Sequence, residues 1–296
     1  MRVAVIGLGT MGAPMAANLL KGGCRVVVHN RTRTREESLA LQGAERAASP
    51  REAARGADAV ITCVADTPDA EQVILDRESG VLAGCGRGGL VIDCSTIAPA
   101  AARRIAERLA AAGVGFVDAP VSGGSEGAQR ATLAIMCGGS EEDFRRASPV
   151  LAKLGKSVVH VGPAGCGQIA KAVNQVVIAG TYQALAEGLC LAKKAGADPA
   201  RVVAAIESGA AQSWVLANRS RHMREDRYPL GFRVRLHRKD LAIALRTARE
   251  AGLPMPVASY VATVEDGLIA LGHGDEDMSA IARAVRRAGA IADGPM

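Results

Sequence analysis

Lys171 is the one charge in the apolar run GCGQIAKAVNQVVIAG, residues 165–180. A cation set among Ile169, Ala170, Ala172 and Val173 is costly to bury unless it faces a cleft, a partner or water. Asn174 and Gln175 follow three and four positions later, on the same side of a helix. Apolar neighbours should draw a lysine down from its usual pKa of about 10.4, towards easy proton exchange near neutrality. The chemistry this suits is proton transfer to a developing alkoxide. Lys171 would be the acid in one direction and the base in the other. Its cationic form would stabilise oxyanion charge, and Asn174 would hold the lysine or a substrate hydroxyl in place.

Such a donor needs a hydride source and a clamp for the substrate. Gly7-Leu8-Gly9-Thr10-Met11-Gly12 follows an apolar strand and opens a helix, the context in which GxGxxG binds a dinucleotide. Gly7 permits the tight turn, Gly9 lets a pyrophosphate approach the backbone, and Gly12 allows close helix packing. The end of the second strand reads His29-Asn30-Arg31-Thr32-Arg33, with Asn30 where an NAD site usually carries an acid. Arg31 suits an adenine face or a 2′-phosphate, and Thr32 adds a hydroxyl, so NADP is expected over NAD. Ser122-Gly123-Gly124, after the fifth strand, would present a hydroxyl and successive N–H groups to a small carboxylate.

The elements that must position these residues read in order. Strands are expected over 2–6, 24–30, 58–64, 89–95, 113–120, 131–139 and 156–162, with helices over 14–23, 34–43, 50–56, 98–113 and 141–154. This alternation predicts an α/β domain with a Rossmann-type, doubly wound parallel sheet. Beyond residue 163 the pattern is helical throughout: 167–195, 199–208, 212–224, 238–251, 257–271 and 277–288. The boundary is therefore expected near 162, dividing a dinucleotide-binding domain, 1–162, from an all-α domain, 163–296, for substrate and oligomerisation. Trp214, the only tryptophan, is expected in the core, with the lining of the substrate pocket as the alternative.

Composition limits the alternatives. The 296 residues are 49% hydrophobic and 22% charged, as in a soluble globular protein of two domains. Seven cysteines without metal-like spacing read as buried free thiols in a reducing cytoplasm, and no metal is expected. No secretory leader or membrane-spanning stretch is read. The net charge of +6 suits an anionic nucleotide, whereas 2% aromatics and no basic block argue against nucleic acid.

Five motifs in order resemble the β-hydroxyacid dehydrogenase family over essentially the whole chain: GLGTMGAPMAANL, DCSTIAP, DAPVSGG, GCGQIAKAVN and GFRVRLHRKDL. The resemblance implies that Lys171 and Asn174 are catalytic and that Ser122, Gly123 and Gly124 hold the substrate. It implies that Thr96 contacts the cofactor, Phe232 lines the pocket, Lys239 approaches the cofactor and Asp240 supports the site. Val64-Ala65 replaces a common Leu-Pro beside the cofactor, and Ala131 stands where Gly often precedes Thr-Leu. The Asn174-Gln175 pair looks most similar to tartronate semialdehyde (2-hydroxy-3-oxopropionate) reductases. The expected activity is NADP-preferring reduction of a small semialdehyde acid by a homodimer or homotetramer. The alternatives are a 3-hydroxyisobutyrate dehydrogenase, a succinic semialdehyde reductase, or a non-catalytic NADP-binding interaction protein.

Overall fold

A computed structural model describes residues 1–296, which divide into two compact units, Met1–Lys171 and Ala172–Met296. In the first unit nine strands form one sheet: β1 (Arg2–Ile6), β2 (Arg25–His29), β3 (Glu45–Arg46), β4 (Ala59–Thr62), β5 (Leu90–Asp93), β6 (Gly115–Asp118), β7 (Val121–Ser122), β8 (Leu133–Gly139) and β9 (Gly155–Gly162). Their order is β3-β2-β1-β4-β5-β6-β8-β7, with β9 on the other side of β8. The central strands are short apolar runs buried on both faces, as a parallel sheet covered by helices requires. Alternation sends Val3 and Val5 to one apolar layer, with Met15, Leu19 and Ile61. Ala4 and Ile6 enter the other, with Val60, Val91 and Ile105.

The pairing is parallel from β3 to β6, as expected, and departs from that pattern at β8, which runs antiparallel to both β6 and β7. The link from β7 to β8 is too short for a crossover, which takes about a dozen residues or more. It also contains a helix, Gly124–Arg130, where the sequence pattern predicts no element. Ala131 ends that helix with φ 54°, a left-handed position that suits glycine better. The expected helix over 34–43 breaks into a 3₁₀ turn, Arg33–Glu36, and a short helix, Glu37–Ala40. The cause is Glu36, which is fully buried and takes the Asn30 N–H and the guanidinium groups of Arg33 and Arg46.

A 29-residue helix, Cys166–Lys194, begins in the first unit and continues into the second. The second unit is helical as anticipated, with helices Pro199–Ile206, Trp214–Glu225, Val234–Glu250, Pro256–Ala270 and Ile281–Ala288. Its core gathers Tyr182, Ala186, Leu189, Leu241 and Val261. Trp214 is not in that core. The residue is 52% exposed, and the Arg219 guanidinium lies 4.6 Å from the ring centroid. Trp214 opens a helix capped by Ser213, and the face that this helix buries carries Val215, Leu216, Arg219 and Met223 instead. No helix is long and apolar enough to cross a membrane.

Candidate active site

Sheet register sets the first part of the site. His29 pairs with Ile6, Ile6 with Thr62, Thr62 with Asp93, and Asp93 with Asp118. The carboxyl ends of five strands therefore lie in line, and the segments leaving them carry Asn30–Thr32, Gly7–Gly12, Val64-Ala65, Thr96 and Ser122–Gly124. This edge is where open α/β sheets bind ligands.

The glycine-rich turn fits a dinucleotide for a different reason at each glycine. Gly7 has φ +93°, and a Cβ there would lie 2.3 Å from the Cys63 carbonyl oxygen. A Cβ on Gly12 would lie 1.9 Å from the Gly7 carbonyl oxygen. At Gly9 the nearest atom is Arg35 Nη1, at 4.0 Å, so nothing in this chain demands a glycine there. That space suits a ligand's close approach to the backbone. Gly12–Lys21, the helix that follows, has no side-chain cap and no acid in its first turn, so its positive end suits phosphate.

Asn30 serves the turn itself. Its Oδ1 accepts from the Leu8 N–H at 2.8 Å, and its Nδ2 donates to the Thr32 carbonyl at 2.8 Å. Arg33 is drawn away to Glu36 and the Ala47 carbonyl. Arg31 is 92% exposed and 3.9 Å from Asp69, and Thr32 and Thr10 are exposed. Arg35, passed over in the sequence, is the cation nearest Gly9.

Lys171 is only 6% exposed, in the second turn of the long helix, and that helix start is tied to two strand ends. Asp118, at the end of β6, accepts from the Gly165 N–H at 2.7 Å and the Gln168 N–H at 2.9 Å. Burial pushes its carboxyl up to about 6, against the pull of those two N–H donors. Gly167 and Gly138 leave room for it, since a Cβ on either would approach an Asp118 side-chain oxygen within 2.8 and 2.6 Å. The Gln168 side chain grips the segment after β5. Its Nε2 donates to the Ser95 carbonyl at 2.8 Å and its Oε1 accepts from the Ile97 N–H at 3.1 Å, bracketing Thr96.

Asp93 steadies the same segment by accepting from the Thr62 and Ser95 hydroxyls at 2.8 and 2.7 Å, and Ser95 Oγ accepts from the Val64 N–H at 2.9 Å. Val64 and Thr96 thus share one network, which also holds the helix of Lys171. Cys137 lies nearby in β8, but burial pushes its thiol up to about 12, so it is no nucleophile at neutral pH.

The second unit builds its own polar cluster. Asn174 Nδ2 donates to Gln175 Oε1 at 2.8 Å, and Gln175 Nε2 donates to Asp240 Oδ2 at 2.6 Å. Lys239 Nζ lies 3.0 Å from Asp240 Oδ1. His237 sits between Glu265, 2.6 Å from its Nδ1, and the Gln175 carbonyl, 3.2 Å from its Nε2. Its ring meets Phe232 edge-on at 6.2 Å. The Gly231 and Phe232 N–H groups donate to Asp277 Oδ2, itself paired with Arg219.

Asn174, Asp240, Lys239 and Phe232 were expected here. Gln168, Asp118, His237, Glu265 and Asp277 were not. Gln168 carried a legible signal, being an amide one turn before Lys171 in the same apolar run.

A helix-opening glycine turn at the carboxyl edge of a parallel sheet, with a buried lysine tied to the same edge, defines an NAD(P)-dependent oxidoreductase of CH–OH groups. Two family models agree. One, described as the NAD binding domain of 6-phosphogluconate dehydrogenase, matches residues 2–162, and one described as NAD-binding of NADP-dependent 3-hydroxyisobutyrate dehydrogenase matches 165–285. The chain is 36% identical to the 2-hydroxy-3-oxopropionate reductase of Escherichia coli, over 96% of this chain and 97% of that one. It is 39% identical to the 3-hydroxyisobutyrate dehydrogenase of Pseudomonas aeruginosa, over 87% of this chain and 88% of that one. A solved structure of Mycobacterium tuberculosis 3-hydroxyisobutyrate dehydrogenase with L-serine superposes with a TM-score of 0.87, at 33% identity, over 96% of this chain and 99% of that one. The chain belongs to the β-hydroxyacid dehydrogenase family.

Proposed function

We propose that this protein reduces a short semialdehyde acid of the tartronate semialdehyde kind to its hydroxy acid, preferring NADP over NAD. The observation that carries this reading is Lys171, 6% exposed and anchored through Gln168 and Asp118 to the ends of β5 and β6. A bound nicotinamide dinucleotide supplies the hydride. Lys171 gives a proton from Nζ to the substrate carbonyl oxygen in reduction and takes one from the hydroxyl in oxidation. Ser122, Gly123 and Gly124 hold the carboxylate, and Asn174 orients the reacting end. Gly7, Leu8, Gly9, Thr10, Met11 and Gly12 cradle the pyrophosphate. Val64, Ala65, Thr96 and Lys239 act toward the cofactor, while Phe232 and Asp240 take the pocket and supporting roles that the resemblance implies.

The preference for NADP rests on the end of β2, where no acid stands and Asn30 is engaged by the Leu8 N–H. Arg31, exposed and 3.9 Å from Asp69, would turn to meet a 2′-phosphate, with Arg35 beside Gly9. The domain limits we favour are 1–162 and 163–296. Seven free cysteines support a cytoplasmic setting. The second reading, 3-hydroxyisobutyrate oxidation, is favoured by relatives of that name in both comparisons.

The test is steady-state turnover of tartronate, methylmalonate and succinic semialdehydes with NADPH and with NADH. We expect tartronate semialdehyde with NADPH to give the highest kcat/KM. Lys171→Ala should lower kcat by about 10²–10⁴-fold with the fold intact. A folded Lys171→Ala protein that keeps turnover within a few-fold overturns the assignment.

A further inference from the structure

We infer that Asp240 and Gln175 are positioning residues that fix which end of the Asn174 carboxamide faces outward, so that Asn174 presents its oxygen as an acceptor. The inference rests on the reading that Asn174 meets the substrate. Asp240 is buried at 3% exposure, and as a carboxylate it only accepts. Its Oδ2, 2.6 Å from Gln175, therefore demands the NH2 end of that amide. The Gln175 carbonyl must then point the other way, where Asn174 lies at 2.8 Å. A carbonyl also only accepts, so Asn174 turns its own NH2 towards it and Oδ1 is left as the outward atom. Gln175 is fully buried, so water cannot stand in for either partner.

One carboxylate thus sets the polarity of two amides in series. The charged and titratable groups around the chain are Lys239, 3.0 Å from Asp240 Oδ1, and the His237–Glu265 pair, which meets the Gln175 backbone carbonyl from the side. Lys171 stands one turn earlier on the same helix. An outward Oδ1 accepts from an ammonium group, which only donates, whereas an outward NH2 repels it, and a hydroxyl is satisfied by either end. Serine and glycerate differ by that exchange on the carbon beside the carboxylate, so the ratio of their kcat/KM values in the oxidation direction reads the polarity of Asn174.

The experiment measures that ratio with NADP+ in wild type and in folded variants. Asp240→Asn keeps its carbonyl towards the Lys239 ammonium and turns its NH2 to Gln175, which reverses both amides and leaves the Asn174 NH2 outward. Its serine-to-glycerate ratio should fall at least about tenfold below that of wild type. Gln175→Glu with Asp240→Asn restores the pattern, because a carboxylate at 175 accepts from both neighbouring amides, and its ratio should return to within about twofold of wild type. Gln175→Met, which keeps the Asp240 charge but has neither donor nor carbonyl, should also lower the ratio.

A folded Asp240→Asn or Gln175→Met protein with a wild-type ratio, or a double variant no better than Asp240→Asn, overturns the relay. Asn174→Ala separates the two readings. If it leaves both substrates unaffected, the substrate contact fails and the inference fails with it. If it lowers the ratio while Asp240→Asn does not, the contact stands and only the relay fails.

Discussion

Asp118 shows how one carboxyl can organise a site without touching the chemistry. It holds two backbone N–H groups at the start of the long helix, in the turn before Lys171. Burial raises its folded pKa to about 6, against 3.8 for an exposed aspartate. The folded protein therefore binds this proton more tightly than the unfolded chain. The resulting stabilisation is fully present below 3.8 and is lost as pH rises through about 6. Its upper limit is about 3 kcal/mol. Asp118→Asn removes the titration while keeping the shape. The Tm of the variant relative to wild type should improve steadily from pH 4 to pH 7, by an amount worth about 1–3 kcal/mol. A difference that does not move across this range shows that the carboxyl does not titrate there.

The glycine-rich turn and its helix illustrate two demands that one motif hides. Gly12 answers to the fold, because an added Cβ would strike the Gly7 carbonyl at 1.9 Å. Gly9 has no neighbour closer than 4.0 Å and answers to the ligand. Gly12→Ala should lower Tm by several degrees, as a backbone clash in a packed turn does. Gly9→Ala should leave Tm unchanged while raising KM for NADPH about tenfold or more. Differential scanning fluorimetry and cofactor titration separate the two effects, and a Gly9→Ala protein with normal cofactor affinity removes the pyrophosphate reading of this turn. The sequence pattern GxGxxG was legible from strand, turn and helix context, but the division of labour between its glycines was not. It depends on Cys63, more than fifty residues away, whose carbonyl closes over Gly7.

At the scale of the whole molecule, the second unit leaves apolar side chains uncovered. Val177 on the long helix is 60% exposed, and Val257 and Tyr260 on Pro256–Ala270 are 57% and 56% exposed. These two helices touch, since a Cβ on Gly180 would lie 3.5 Å from Val257 Cγ1. Adjacent exposed apolar residues of this size mark an association surface, and we propose that a second copy of this chain covers it. Wild type should run as a dimer or tetramer in light scattering. Val257→Asp with Tyr260→Asp should shift it towards monomer. A monomeric wild type, or a double variant of unchanged mass, refutes this.

The linear sequence carried the central strands, most of the longer helices, the dinucleotide turn and the segments proposed for the chemistry, but not the helix Thr67–Leu75 or the helix Gly124–Arg130. Each is a local pattern: an apolar run of strand length, a glycine spacing, a charge in an apolar helix. Lys171 and Asn174 were legible because three residues of separation put two side chains on one helix face whatever the rest of the chain does. Tertiary structure alone decided what holds them. Gln168 reaches Ser95 and Ile97 across more than seventy residues, and Gln175 reaches Asp240 across 65. No spacing rule links such pairs, because their distance is set by sheet register and helix packing. The same holds for β8, whose antiparallel direction follows from a short connection rather than from anything in its own residues. Trp214 was misplaced for a related reason. Hydrophobic character says that a side chain gains from burial, and only the packed helices say whether a place for it exists.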